Sequence, residues 1–265
     1  MEGDTSNKPI AAVTGASSGI GACFAERLAG RGSDLIIVAR RRERLEKLAK
    51  TIEERFGVAV EIRAVDLSDQ TATRALAEYL GSLDRVYTLV NSAGFGTNGA
   101  FASVDAARIE QELNVDMVAL VMLTRAVLPG MLARSKGDII NVSSVGGFNA
   151  APYFATYSGI KSGVITFTES LYGELKGTGV RVQVLCPGPV PTEFNEVAGV
   201  DETPTPGVMI QSAEDCVAGS LRDLEKGKAV SIPNTACRWI FRFVRHLPLS
   251  LRLAFVSGMV PKDPS

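Results

Sequence analysis

With 265 residues the chain is long enough for one substantial hydrophobic core and tight for two, so a single domain over 1–265 is expected. Hydrophobic residues make up 46% and charged residues 22%, which leaves no biased stretch to set aside as disordered. The formal net charge of −1 argues against a general nucleic-acid binder, and the single histidine, His246, makes a histidine-based zinc site or a Ser-His-Asp triad hard to build, so no metal is expected.

The polar opening, 1–8, runs straight into an apolar strand and reads as neither a secretory signal nor a spanning helix. Runs rich in β-branched residues then recur at 10–13, 34–39, 58–64, 88–91, 138–142, 181–186 and 229–232, with helical stretches between them. These runs lack polar-out alternation, the mark of strands covered on both faces. The expected fold is therefore α/β, a doubly wound parallel sheet of Rossmann type with helices on both faces. Helices are expected over 22–29, over 40–56 with Leu45, Leu48 and Ile52 on one stripe, over 68–80, over 106–128, and from Ala155 through Leu175. Between 192 and 212 the pattern fails around Gly199, Pro204, Pro206 and Gly207, a candidate lid over a pocket; Ser212 with Asp215 then suggests a capping box. Cys23, Cys186, Cys216 and Cys237 stand singly in apolar or helical stretches, as free thiols in a reducing, cytoplasmic setting would.

Ligands of doubly wound folds sit beyond the carboxyl ends of the strands, and the first strand ends in Gly15-Ala16-Ser17-Ser18-Gly19-Ile20-Gly21 before an apolar helix. Gly15 permits a sharp turn, Gly19 lets the backbone approach a pyrophosphate, Gly21 lets helix and strand pack closely, and the helix N-terminus favours the anion. The spacing, Thr14 followed by G-x-x-x-G-x-G, resembles the short-chain dehydrogenase/reductase family, and further matches follow in that family's order. Asp66-Leu67 resembles the position whose carboxylate accepts from the adenine amine. Asn91-Ser92-Ala93-Gly94 resembles the family's Asn-Asn-Ala-Gly motif with its second Asn replaced by Ser, and Asn91 and Gly94 are expected to brace the central strand and let the backbone pass the cofactor. A carboxylate at the end of the second strand would repel a 2′-phosphate; the chain instead runs Ala39-Arg40-Arg41-Arg42, and guanidinium forks suit a phosphate, so NADP(H) is expected over NAD(H), with Arg40 the first candidate and Arg41 the second.

Tyr157 and Lys161 are four apart in a helical segment, so phenol and ammonium share one face; the lysine, with a cationic nicotinamide, is expected to lower the tyrosine's pKa into a usable range. Ser144, thirteen residues earlier at the end of a strand, resembles the family's catalytic serine, a donor to the substrate oxygen, while Ser143 points the opposite way. Asn114 resembles the family's fourth member, which disturbs its helix and holds a water linking the lysine to solvent. Pro187-Gly188-Pro189-Val190-Pro191-Thr192 matches the Pro-Gly motif, whose backbone and Thr192 hydroxyl would hold the carboxamide. The resemblance covers about 10–192.

The implied activity is hydride transfer between NADP(H) and a carbonyl or secondary alcohol, an apolar ketone such as a 3-oxoacyl or steroid-like compound. The alternatives are an NAD-dependent alcohol dehydrogenase and a catalytically silent NADP(H)-binding sensor or scaffold, against which Ser144, Tyr157 and Lys161 speak. A homodimer or homotetramer is expected. The divergent segment 233–265, apolar and basic around Trp239, Phe241, Arg242 and Phe243, is assigned to packing or a subunit contact, with peripheral membrane contact as the other reading.

Overall fold

Each apolar run becomes a strand because its Val, Ile and Leu side chains are covered from both sides. The strands of this computed structural model, which describes residues 8–199 and 206–259, are β1 (Ile10–Thr14), β2 (Asp34–Ala39), β3 (Val60–Ala64), β4 (Val86–Asn91), β5 (Gly137–Val142), β6 (Val180–Leu185) and β7 (Val230–Ser231). The polar opening through residue 7, Pro204 with the centre of the 192–212 stretch, and the end of the 233–265 segment lie outside the described residues. The strands form one sheet in the order β3-β2-β1-β4-β5-β6-β7, every pair parallel. The order reverses between β1 and β4, where Thr14 lies beside Asn91, and the crevice beyond their carboxyl ends is the topological switch point.

Helices cover both faces: α1 (Gly19–Ala29), α2 (Arg42–Phe56), α3 (Gln70–Gly81), α4 (Ala106–Leu113), α5 (Leu120–Ala133), α6 (Ala155–Glu174), α7 (Phe194–Ala198) and α8 (Ala213–Glu225), then α9 (Thr235–Val244) and α10 (Leu249–Ser257) at the C-terminal end. Phe24, Leu28, Leu45 and Ile52 pack one face of the sheet with Leu221 of α8, and Leu76, Leu80, Leu123 and Met131 pack the other. All four cysteines are buried free thiols.

Three elements differ from the sequence expectation. The helix expected over 106–128 is disturbed from Asn114, as expected, by a π-helical turn, Asn114–Ala119, but runs on through Pro129 to Ala133. A proline removes one donor, and burial of Leu123, Val127 and Met131 on the same face outweighs that loss. The helix expected from Arg40 starts two residues later, because Arg41 has a non-helical backbone (φ −85°, ψ 87°). The stretch after Thr192 contains the five-residue helix α7, ended by Gly199 in the left-handed conformation, where the sequence offered no helical period.

The inner sides of α9 and α10 complete the molecule at the crevice. Cys237 and Phe241 pack with Met209, Val164 and Cys186, and a Cβ on Gly188 would lie 2.5 Å from the Cys237 sulfur, so the loop after β6 accepts α9 only through a glycine. Trp239, Phe243, Leu249 and Leu251 face outward and are exposed.

Candidate active site

The crevice begins where β1 turns into α1. Gly15 has φ +69°, and a Cβ there would lie 2.7 Å from the Ala93 nitrogen, while a Cβ on Gly21 would overlap the Gly15 carbonyl. Close approach of the two βα turns therefore requires Gly15, and the packing of α1 against its own turn requires Gly21. Thr14 Oγ1 ties them by accepting from the backbone N–H of Ser92 (3.0 Å) and Ala93 (3.1 Å). Ser18, at the N-cap of α1, makes no side-chain capping bond, so the first-turn N–H groups have no side-chain acceptor and offer the dipole end to an anion. Glycines that leave no room for Cβ atoms, an uncapped helix start and guanidinium groups fit the pyrophosphate and phosphate of a dinucleotide.

At the charged end of the crevice the two candidate arginines are placed differently. Arg41 reaches back over the glycine loop, its Nη2 donating to Ser17 Oγ (3.0 Å) and Ser18 Oγ (3.1 Å) and pairing with Glu193 Oε2 at 2.8 Å. Arg44, one turn further along α2, also pairs with Glu193. These two guanidiniums pull the Glu193 carboxyl down to about 2. Arg40 is exposed and lines the same cavity without a hydrogen bond or ion pair among the described residues. Asp66 lines it too, its Oδ1 accepting from the Ser68 backbone (2.9 Å) and hydroxyl (2.8 Å); the N-cap of α3 is Asp69, so Asp66 is not spent on a helix terminus.

At the other end, Ser144, Tyr157 and Lys161 converge from β5 and α6. Ser143 turns away and donates to the Lys161 carbonyl at 2.7 Å, whereas Ser144 stays at the crevice, its Oγ accepting from the Gly146 N–H at 3.0 Å. Lys161 Nζ lies 5.6 Å from the centre of the Tyr157 ring, which is held between Phe154 (centroids 6.0 Å apart) and Phe194 (5.3 Å). Burial pushes the Tyr157 phenol above its ordinary value; Lys161 and the Ser144 hydroxyl pull it back without overcoming that push. The lowering expected from the lysine is therefore present as an opposing influence only, and the protein alone keeps the phenol protonated.

A cavity of about 490 Å³ joins the two ends. Gly15, Ser17, Ser18, Gly19, Ile20, Gly21, Arg40, Arg41, Asp66, Leu67, Ala93, Gly94, Ser144, Tyr157, Lys161, Pro187, Gly188, Val190 and Thr192 all line it. Asn91 does not: buried beneath, its Nδ2 donates to Asn141 Oδ1 (2.9 Å) and Thr124 Oγ1 (3.1 Å), bracing β4 against β5 and α5. Asn114 sits at the helix disturbance, but its side chain accepts from Gln70 Nε2 (3.1 Å) and donates to the Ser68 carbonyl (3.2 Å), outside the cavity. Phe154, Phe194, Phe241, Val256 and Met259 add an apolar wall.

Two buried acids were not anticipated. Asp116, in the π-turn, pairs with Lys161 Nζ at 2.9 Å, and Glu112, one turn earlier, is fully buried with no hydrogen-bond partner for either carboxyl oxygen among the described residues. A signal of burial was available for Asp116, which leads into the apolar run 117–123, but not for Glu112, which stands among Arg108, Glu110 and Gln111.

The short chain dehydrogenase family model matches residues 9–203. The very-long-chain 3-oxoacyl-CoA reductase of Anas platyrhynchos is 31% identical over 240 residues, 87% of this chain and 74% of the relative. A short-chain dehydrogenase from Sphingobium yanoikuyae in complex with NADPH superposes with a TM-score of 0.82 at 32% identity, covering 97% of this chain and 98% of the other. One from Burkholderia phymatum in complex with NAD gives 0.80 at 25% identity, covering 98% of each. With more than half its length matched by the family model and its doubly wound sheet shared nearly end to end with solved relatives, the chain belongs to the short-chain dehydrogenase/reductase family of oxidoreductases.

Proposed function

We propose that this oxidoreductase reduces an apolar ketone with NADP(H), Tyr157 acting as the proton donor. The observation that carries the reading is the convergence of Ser144, Tyr157 and Lys161 at one end of a cavity whose other end holds the glycine loop and Arg41. Reduced nicotinamide, when bound, supplies the hydride to the carbonyl carbon. The Tyr157 phenol gives its proton to the carbonyl oxygen, so the alcohol forms without free alkoxide. Ser144 donates a hydrogen bond to that oxygen as negative charge develops on it, and Lys161 stabilises the phenolate left behind. Asn91, outside the cavity, acts by holding β4 in place; Asn114 acts through the helix disturbance it begins.

Arg41, with Arg40 beside it, supports a 2′-phosphate, since Ala39 at the end of β2 brings no carboxylate to repel one. The apolar wall of Phe154, Phe194, Phe241, Val256 and Met259 supports a lipid-like ketone, in keeping with the 3-oxoacyl-CoA reductase among the relatives. Carbonyl compounds screened by loss of NADPH absorbance, with Tyr157→Phe as control, test the reaction; tight NADPH binding without turnover of any of them would favour a silent binder. Fluorescence titration tests the cofactor: Arg41→Ala should weaken NADPH about 10- to 100-fold, as loss of a charge-assisted contact does, and leave NADH nearly unchanged.

For assembly, the exposed Leu113 of α4, Val118 of the π-turn, and Met122 and Leu132 of α5 support a contact between copies, which light scattering would register as a dimer or tetramer. The outward Trp239 and Phe243 of α9 beside Arg242 leave membrane contact as the second use of the C-terminal segment. Flotation with anionic vesicles tests it, and retention of floating by the Trp239→Ala, Phe243→Ala double variant would remove the idea.

A further inference from the structure

Lys161 sits in a place that disfavours its charge: it is only 5% exposed, and its ammonium makes one hydrogen bond, to the Val142 carbonyl at 3.3 Å. A lysine buried this way without a counter-charge gives up its proton, and a neutral amine does nothing for a phenolate. Asp116 answers the problem. Its Oδ2 lies 2.9 Å from Lys161 Nζ, its Oδ1 accepts from the Phe95 N–H at 3.0 Å, and it is 1% exposed. Burial pushes the Asp116 carboxyl above its ordinary value, while the Lys161 ammonium and the Phe95 N–H pull it back, and at 2.9 Å the two groups form a buried ion pair. The fold is shaped to let this acid in: a Cβ on Gly94 would stand 2.7 Å from Asp116 Oδ2, and the π-turn inserts the residue that turns Asp116 toward α6.

Burial alone works to strip the proton from Lys161, but Asp116, then Tyr157 and Glu112, outweigh it and hold its pKa above the ordinary lysine value. Glu112, one turn before Asp116, is pushed up to about 7, mainly by burial. The groups facing this cluster are Tyr157 on α6, Arg108 and Glu112 on α4, the Thr97 hydroxyl after β4, and the Cys186 thiol after β6, itself pushed up by burial. Arg108 lies over the Phe95 ring at 4.0 Å and donates to the Val197 carbonyl at 3.0 Å, so it closes the outer side of the stripe. Buried ion pairs are poor sources of stability, which directs attention to what this one does for its lysine.

We propose that Asp116 is a positioning residue of the active site, the buried counter-charge that keeps Lys161 an ammonium facing Tyr157, with Glu112 behind it as a second carboxyl that strengthens the hold once ionised. The proposal rests on the reading of Tyr157 and Lys161 as the catalytic pair, and its test is independent of turnover. The full-length protein carrying 13C-labelled lysine is titrated by NMR, the Lys161 signal being assigned by its loss in Lys161→Met. Asp116→Asn keeps the shape and the acceptor for the Phe95 N–H, and should lower the Lys161 pKa by about one unit or more. A Lys161 that titrates as in the parent protein would overturn the proposal. If Asp116→Asn does not fold, Glu112→Gln decides: a smaller downward shift supports the coupling, and an unchanged lysine ends it. A carbonyl screen that finds no substrate while the lysine shift is observed would count against the proposed reaction and leave the counter-charge standing.

Discussion

At the scale of single residues, the chemistry depends on one proton and one hydrogen bond. Tyr157→Phe keeps the ring between Phe154 and Phe194 and removes the acid, so kcat should fall by about 10²- to 10⁴-fold while NADPH still binds. Ser144→Ala removes a donor to the developing oxyanion and should cost about 10²- to 10³-fold in kcat with little change in cofactor affinity. Steady-state kinetics beside cofactor fluorescence checks both. Ser144, Tyr157 and Lys161 were legible because helical spacing and a strand end fix where side chains point over a few residues. Where the Arg41 side chain would reach was not legible, because it turned on where α2 starts. Each step at a helix N-terminus turns the side chain by about 100°, and a start at Arg42 leaves Arg41 aimed at the glycine loop. Asp116 was hidden for another reason: its partner is distant in sequence, and only the π-turn brings the two together.

Among elements, the strands were the most legible, since their apolar runs need cover on both faces and leave no choice of period. Boundaries followed local chemistry. Ser212 accepts from the Asp215 N–H at 3.0 Å and donates to its carboxylate at the same distance, the cap expected at the start of α8. Ser212→Ala should destabilise the fold by about 0.5–2 kcal/mol, read as a lower midpoint in urea with unchanged m. The break between α4 and α5 was expected at Asn114 from the family resemblance alone, because a π-turn leaves the composition of a helix intact while shifting its face. Likewise α7 has five residues, too few for a helical period to declare itself.

For the whole molecule, the doubly wound order follows from alternating strands and helices, whereas the closing of the cavity by α9 and α10 rests on contacts around Gly188 and Cys237 that no periodicity announces. Burying Glu112 has a global effect of definite sign. Its pKa rises on folding from 4.5 to about 7, so the native state holds the proton more tightly than the unfolded one. Its contribution is complete below the unfolded value and is lost as pH rises through the folded value, at most about 3 kcal/mol at about 1.4 kcal/mol per unit. Glu112→Gln should flatten the fall in Tm across that window, which calorimetry at several pH values would record. The triad of Arg41, Arg44 and Glu193 has a wider reach, because it fastens the segment beginning α7 to the mouth of the dinucleotide groove. On the proposed NADP(H) reading, a 2′-phosphate would compete with the Glu193 carboxylate for Arg41 and so loosen the tie at the start of α7.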